Sequence, residues 1–192
     1  MGHDRRALLA GGAAALIAGG LGFRAWDRGI WSGGEGVAYA PWKDWQGHAG
    51  DGGNRPVRAA ILAANPHDTQ PWLFQVQESG ITLFANRARN LGSFDPFRRE
   101  MHLGLGAAIE NLVLAARALG FSADINPLDG RLTLSPDNSP VDVARITLKS
   151  SPPVRGPLFD VIPYRHTNRG AYRPDQLVGA GTLQRLAALA GC

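Results

Sequence analysis

The sequence predicts an α+β chain in which an antiparallel-rich sheet packs on one long helix. Two kinds of signal predict it. Short β-type runs are separated by turn residues, and one apolar stretch of helical length lies among them. The chain has 192 residues, 44% of them apolar and 19% charged. That is enough for a domain with its own core, and too apolar for a disordered polyelectrolyte.

The elements follow in order. Residues 28–54 are rich in Gly, Trp and Asp, lack periodicity, and read as a linker. Arg55–Ala64 is a short helical pattern with Val57, Ile61 and Leu62 on its apolar face. Asn65-Pro66 ends it, because a residue before proline avoids the α region. Trp72–Gln77 and Ile81–Asn86 form a hairpin around Glu78-Ser79-Gly80. Asn90–Glu100 is a polar loop. Leu103–Leu119 is the long helix, apolar nearly all round, with polar side chains only at Glu110, Asn111 and Arg117. Such a helix is buried on most faces or lies at an interface, and Gly120 stops it. Ala123–Asn126 and Arg131–Ser135 read as a second hairpin, and Val143–Leu148 as a further strand. The proline-rich connector Ser150–Pro157 precedes a basic segment, Pro163–Tyr172, and an amphipathic helix over Asp175–Ala190.

Composition excludes several classes. The lone cysteine, Cys192, rules out an internal disulfide framework and a CxxC zinc site. Gly 25 and Pro 13 make the chain loop-rich without a collagen period. The net charge of +4 suits an anionic small molecule or a membrane surface and does not by itself imply nucleic acid. Gly104-Leu105-Gly106 lacks the third glycine and the preceding strand of a dinucleotide fingerprint, so helix packing is the better reading. The five histidines are far apart, so no metal site is expected. Arg87, Arg89, Arg98 and Arg99 beside Phe94 and Phe97 read as a solvated loop with salt bridges rather than a nucleic-acid surface.

Two segments carry chemistry. Asn65-Pro66-His67-Asp68-Thr69-Gln70-Pro71-Trp72 sets polar side chains on a backbone fixed by prolines, which suits holding a flat heterocycle by its edge. Its plain alternative is a helix C-cap leading into a strand. Arg165-His166-Thr167-Asn168-Arg169 would, as a helix, put two guanidiniums on one face beside a hydroxyl and a helix N-terminus, which is a phosphate site. Its plain alternative is a basic surface turn.

Four stretches together resemble the nitroreductase family of FMN-dependent proteins, closest to its exported, two-repeat branch. They are AANPHDTQPWLF (63–74), FDPFRREMHLGLGAAIENLVLAARALGF (94–121), VARITL (143–148) and LFDVIPYRHTNRGAY (158–172). The resemblance covers residues 55–192. It implies a first repeat over 55–157 and the start of a second over 158–192, with FMN held between two halves that pair like a homodimer. The long helix would then be central to that pairing. The resemblance assigns Asn65 and Asp68 to the flavin ring, and Arg165, Thr167 and Arg169 to its phosphate; it names no catalytic acid or base. Asp68 stands where the family usually has Asn. An ionised aspartate accepts from the ring N–H but cannot donate to a ring carbonyl. The second repeat stops after about 30 residues, so the chain reads as truncated. The implied activity passes electrons from NAD(P)H to a nitroaromatic or quinone-like acceptor. A protein that binds or sequesters FMN without turnover, and an exported interaction domain without flavin, are the alternatives.

Residues 1–27 read as an address. Arg5-Arg6 precedes an uncharged run from Ala7 to Phe23 and resembles a twin-arginine export signal, with Asp4 where Ser or Thr is usual. A Sec signal or a plain inner-membrane anchor is the alternative, and either leaves the membrane contact to this segment alone. The expected location is the periplasm or the periplasmic face of the inner membrane. Twin-arginine export carries folded proteins, which fits a chain that loads FMN in the cytoplasm. Replacing both arginines (R5K/R6K) is expected to keep a folded reporter fused to residues 1–45 in the cytoplasm. Fractionation of the cells checks it, and unchanged export of the double variant points to Sec.

Overall fold

The computed structural model describes residues 5–27, 37–47, 52–78, 80–132, 137–167, 170–171 and 173–189. Helix α1 spans Arg5–Asp27. Among the described residues, no helix is long and apolar enough to cross a membrane. Two short helices follow, α2 (Ala40–Lys43) and α3 (Asn54–Ala60). Strands β1 (Trp72–Gln77) and β2 (Gly80–Ala85) lead to α4 (Arg99–Ala118). Then come β3 (Phe121–Pro127), β4 (Val141–Ser150), α5 (Pro157–Asp160) and α6 (Ala180–Leu189). The result is α+β, as the sequence predicts.

The sheet is antiparallel throughout, in the order β1-β2-β4-β3. The first hairpin is as expected, with Trp72 opposite Ala85 and Gln77 opposite Gly80. The second is not. Ala123–Asn126 pairs with β4 rather than with Arg131–Ser135, so that Ile125 faces Ile146. Of the expected partner strand, Arg131 and Leu132 are outside any strand, and residues 133–136 lie outside those described. The reason is length. The ten residues of β4 can satisfy both β2 and β3, and Leu132 is buried in the core instead of pairing. Gly130 enables this return of the chain, since a Cβ there would run into the Asp142 carbonyl and the Val141 side chain. A bulge sits where the β2–β4 register moves from Leu83↔Ala144 to Phe84↔Asp142. It leaves Val143 as the extra residue, and the Val143 carbonyl accepts from the Leu128 N–H at 2.8 Å.

Alternation decides which face is covered. Ile81, Leu83 and Ala85 of β2 and Ala144 and Ile146 of β4 are buried together against Met101, Leu105, Ala108 and Leu112 of α4. The helix starts four residues earlier than the sequence suggests. Asp95 is buried, and its carboxylate accepts the Met101 N–H at 3.1 Å, satisfying one of the free first-turn donors. Nor is α4 buried on most faces. Leu103, Gly106 and Glu110 form an exposed strip opposite the sheet, with Leu103 74% exposed.

Residues 37–47 differ most from expectation. Read as part of a linker, they instead pack onto the domain. Trp45 is buried in a second apolar cluster with Ala59, Leu62, Ala115, Phe159 and Ile162. Its ring lies 4.7 Å from that of Phe159, and Asp44 bridges Arg58 at 2.6 Å. The arginines of the 87–99 loop also have structural partners. Arg87 bonds the Ser139 carbonyl and Asp137, buried Arg98 bonds the Gly92 and Asp95 carbonyls, and Arg99 lies over the Phe97 ring. Ser139 donates twice to the exposed Asp137 carboxylate and, with Arg87, holds its pKa below the usual value.

Gly104 is where the helix meets the 65–66 turn. A Cβ there would stand 3.2 Å from Pro66 Cδ and 3.5 Å from Asn65, whereas at Gly106 it would meet open space. Gly104→Val is therefore expected to cost about 1–3 kcal/mol through overpacking. Gly106→Ala is expected to add about 0.5–1 kcal/mol through helix propensity. Paired denaturant melts check the opposite signs.

Candidate functional site

The 65–70 loop has an unusual backbone. His67, Asp68 and Gln70 have φ of 45°, 56° and 48°, in the left-handed region that side chains other than glycine seldom enter. Local hydrogen bonds hold it there. Asn65 Oδ1 accepts the Gln70 N–H at 2.7 Å, and both the Thr69 hydroxyl and the Thr69 N–H donate to the Pro66 carbonyl at 2.9 Å. Arg89 donates to the Thr69 carbonyl at 3.2 Å. Strain of this kind persists only where the surroundings over-determine it. Its effect is to fix Asp68 and Gln70 at the rim, both exposed.

The second segment comes from almost a hundred residues later. After α5, a 3-10 turn over Ile162–Tyr164 buries Ile162 in the second apolar cluster. The chain then becomes extended at Arg165 (φ −73°, ψ 119°). The helix on which the one-face arrangement of the arginines is conditional is therefore not formed over 165–167. A proline at 163 and a turn that closes at Arg165 set the direction instead. Arg165 Nη2 donates to the Leu62 carbonyl at 3.1 Å, and its Nη1 to Thr167 Oγ1 at 3.3 Å. The bond to Leu62 ties the basic segment to the turn that follows α3, just before the 65–70 loop.

Four of the five predicted site residues thereby meet. Asn65, Asp68, Arg165 and Thr167 line one polar cleft of about 200 Å³. Arg169 lies outside the described residues. Asn65 and Thr167 also line an adjoining apolar trough of about 380 Å³, walled by Pro66, Leu103 and Ala107. The combined surface offers donors and an acceptor at one end and a flat apolar wall at the other.

Sequence reasoning places the cleft residue Trp42 in a linker and gives no role to His166, which lies inside the basic segment it singles out. Their rings stack at 6.4 Å between centroids with an interplanar angle of 13°. The spacing of Tyr39, Trp42 and Trp45, three apart, is helical and was the available signal against a linker. Two buried donors, Trp42 Nε1 and Arg165 Nε, have no acceptor among the described residues, and both belong to residues of this cleft. Leaving such a donor unmet costs about 1–3 kcal/mol.

Asn65→Ala removes the acceptor that holds Gln70. It is expected to cost about 1 kcal/mol and to speed exchange of the Gln70 amide while leaving the β2 amides protected. Hydrogen exchange followed by NMR checks it.

No family model matches the chain. Over 118 residues, 59% of this chain, it is 33% identical to proteins named as NAD(P)H nitroreductases in two strains of Mycobacterium tuberculosis. Another protein so named from that organism is 33% identical over 90 residues, 45% of this chain and 27% of the relative. The chain spans about a third of the length of the first of these relatives, 32%. A solved nitroreductase from Desulfovibrio desulfuricans in complex with FMN is 18% identical, with a TM-score of 0.40 over 66% of this chain and 95% of the other. Over these residues the chain is similar in sequence to proteins named as NAD(P)H nitroreductases.

Proposed function

We propose that the cleft and trough form part of an FMN site in an NAD(P)H oxidoreductase of the nitroreductase type, the kind of protein that the chain resembles in sequence. The observation that supports this most is the meeting of Asn65 and Asp68 with Arg165 and Thr167. The groups fit the cofactor. Arg165 and Thr167 supply a cation and a hydroxyl for a phosphate. The Asn65 carbonyl oxygen is already taken by Gln70. Its amide nitrogen makes only a long 3.5 Å contact to the Ala63 carbonyl, so it can donate to a ring carbonyl. Asp68 accepts only and is matched to a ring N–H. The wall of Pro66, Leu103 and Ala107 suits an apolar heterocycle. Arg169 completes the phosphate group by resemblance.

FMN, when bound, supplies acceptance of a hydride from a nicotinamide and its delivery to a nitroaromatic or quinone-like acceptor. The residues described here bind and orient; none is assigned proton transfer. The exposed Leu103–Glu110 strip of α4 supports pairing with a second nitroreductase-like half across the site. Arg5-Arg6 and the apolar run after them support export to the periplasm or retention at the inner membrane.

Flavin titration tests the site. Arg165→Ala is expected to weaken FMN binding while riboflavin, which lacks the phosphate, binds as before. Asp68→Asn is expected to tighten FMN by on the order of 1–2 kcal/mol, by restoring a donor and removing a charge that opposes reduced flavin. Oxidation of NAD(P)H with a nitroaromatic acceptor separates turnover from storage. A colourless protein that binds no flavin leaves the interaction-domain alternative.

A further inference from the structure

Two residues of the cleft hold buried donors with no acceptor among the described residues, and one of them, Trp42, comes from a segment that the sequence reads as linker. The path from that segment to the site is continuous. Trp45 anchors it, packed against Phe159 and buried with Leu62 and Ile162. Asp44 pins the same turn to Arg58 of α3 at 2.6 Å, and Arg55 bonds the Gln46 carbonyl at 3.3 Å. Three residues before Trp45, one helical turn away, Trp42 lies parallel to His166, the neighbour of Arg165. Arg165 in turn bonds Leu62, a member of the cluster that Trp45 fills. Arg165 is extended and residues 166–167 lie outside any helix, so past the turn bond from the Arg165 N–H to the Ile162 carbonyl no helical hydrogen bond among the described residues holds the arm. Its orientation depends on the Leu62 carbonyl on one side and the Trp42 ring on the other.

We propose that Trp42 is a positioning residue for the anion-binding arm of the site. Residues 37–47 act as a strap that clamps 159–167 against the end of α3 and aligns the Arg165 guanidinium. The inference rests on the flavin reading only for the identity of the ligand. The indole N–H is buried and has no acceptor among the described residues, so the ring that stacks on His166, not a hydrogen bond, does the positioning. Stacked or offset aromatic pairs at this separation are attractive and directional. Losing the ring frees His166, and with it the arm that carries Arg165.

The test uses the full 192-residue chain, its Trp42→Ala, Trp42→Phe and Arg165→Ala variants, and the Trp42→Ala/Arg165→Ala double variant. Hydrogen exchange read by mass spectrometry reports the arm without any ligand. Trp42→Ala is expected to speed exchange over 159–167 and leave β2 protected, which also shows that the variant folds. Trp42→Phe keeps the ring and is expected to retain slow exchange. Titrations with FMN and riboflavin report the alignment. Trp42→Ala is expected to weaken FMN by about tenfold, the size of one charge-assisted contact, with riboflavin within about twofold. The double variant is expected to bind FMN no worse than Arg165→Ala alone, because both changes act on one group. Unchanged exchange over 159–167 in Trp42→Ala overturns the strap. Equal losses for FMN and riboflavin overturn the positioning role and leave a general loss of packing. If the wild-type chain shows no preference for FMN over riboflavin, the flavin reading fails, and the exchange result alone decides the strap.

Discussion

Helix α4 must satisfy two cores at once, and the rest of the molecule is arranged around that constraint. Met101, Leu105, Ala108 and Leu112 face the sheet, while Ala115 belongs to the second cluster with Trp45, Leu62, Phe159 and Ile162. Small residues make this possible. Gly104 lets the Asn65-Pro66 turn approach the helix, and Ala115 and Ala116 are buried near its end. A single rigid element therefore fixes the start of the 65–70 loop and, through its far end, the cluster that seats 159–162. The cleft forms where those two consequences meet. Its geometry is set by packing several residues away from the polar groups that line it.

Electrostatics plays a secondary part. The ion pairs Asp44–Arg58, Arg87–Asp137 and Arg155–Asp160 are all at least partly exposed. Exposed pairs are worth little on average. Arg87 and Arg89 matter more for the carbonyls they reach, Ser139 and Thr69, which tie irregular segments to one another. Arg165 differs from these. It is half-buried, and among the described residues its guanidinium has one carbonyl and one hydroxyl partner and no carboxylate partner. A guanidinium so placed keeps most of its charge for an incoming anion.

Much of the fold was legible in the sequence, and the misses share one cause. The β1–β2 hairpin was readable because its pairing is local, with alternation and a short turn in one window. The β3–β4 pairing was not, because its partners lie across a long connection and nothing near Arg131–Ser135 reveals that β4 is long enough to serve two neighbours. Segment 37–47 failed in the same way. Trp45 is buried by residues 115, 159 and 162, with Trp42 half-buried beside it, and the partner residues lie outside any local window. Asn65, Asp68, Arg165 and Thr167 could be singled out as polar groups in unusual company. Their convergence rested on family likeness alone, since spacing cannot show that positions a hundred apart share a cleft. The four-residue spacing of Arg165 and Arg169 would have put them on one face only in a helix, and the backbone at Arg165 is extended.

The left-handed residues of the 65–70 loop have an evolutionary implication. Three side chains occupy a region where glycine or asparagine is cheaper. Random mutation filtered for folding alone would drift toward those two residue types at 67, 68 and 70. Side-chain chemistry and backbone comfort are in conflict at these positions, so their residue identities in a selected library would show which of the two the selection rewarded.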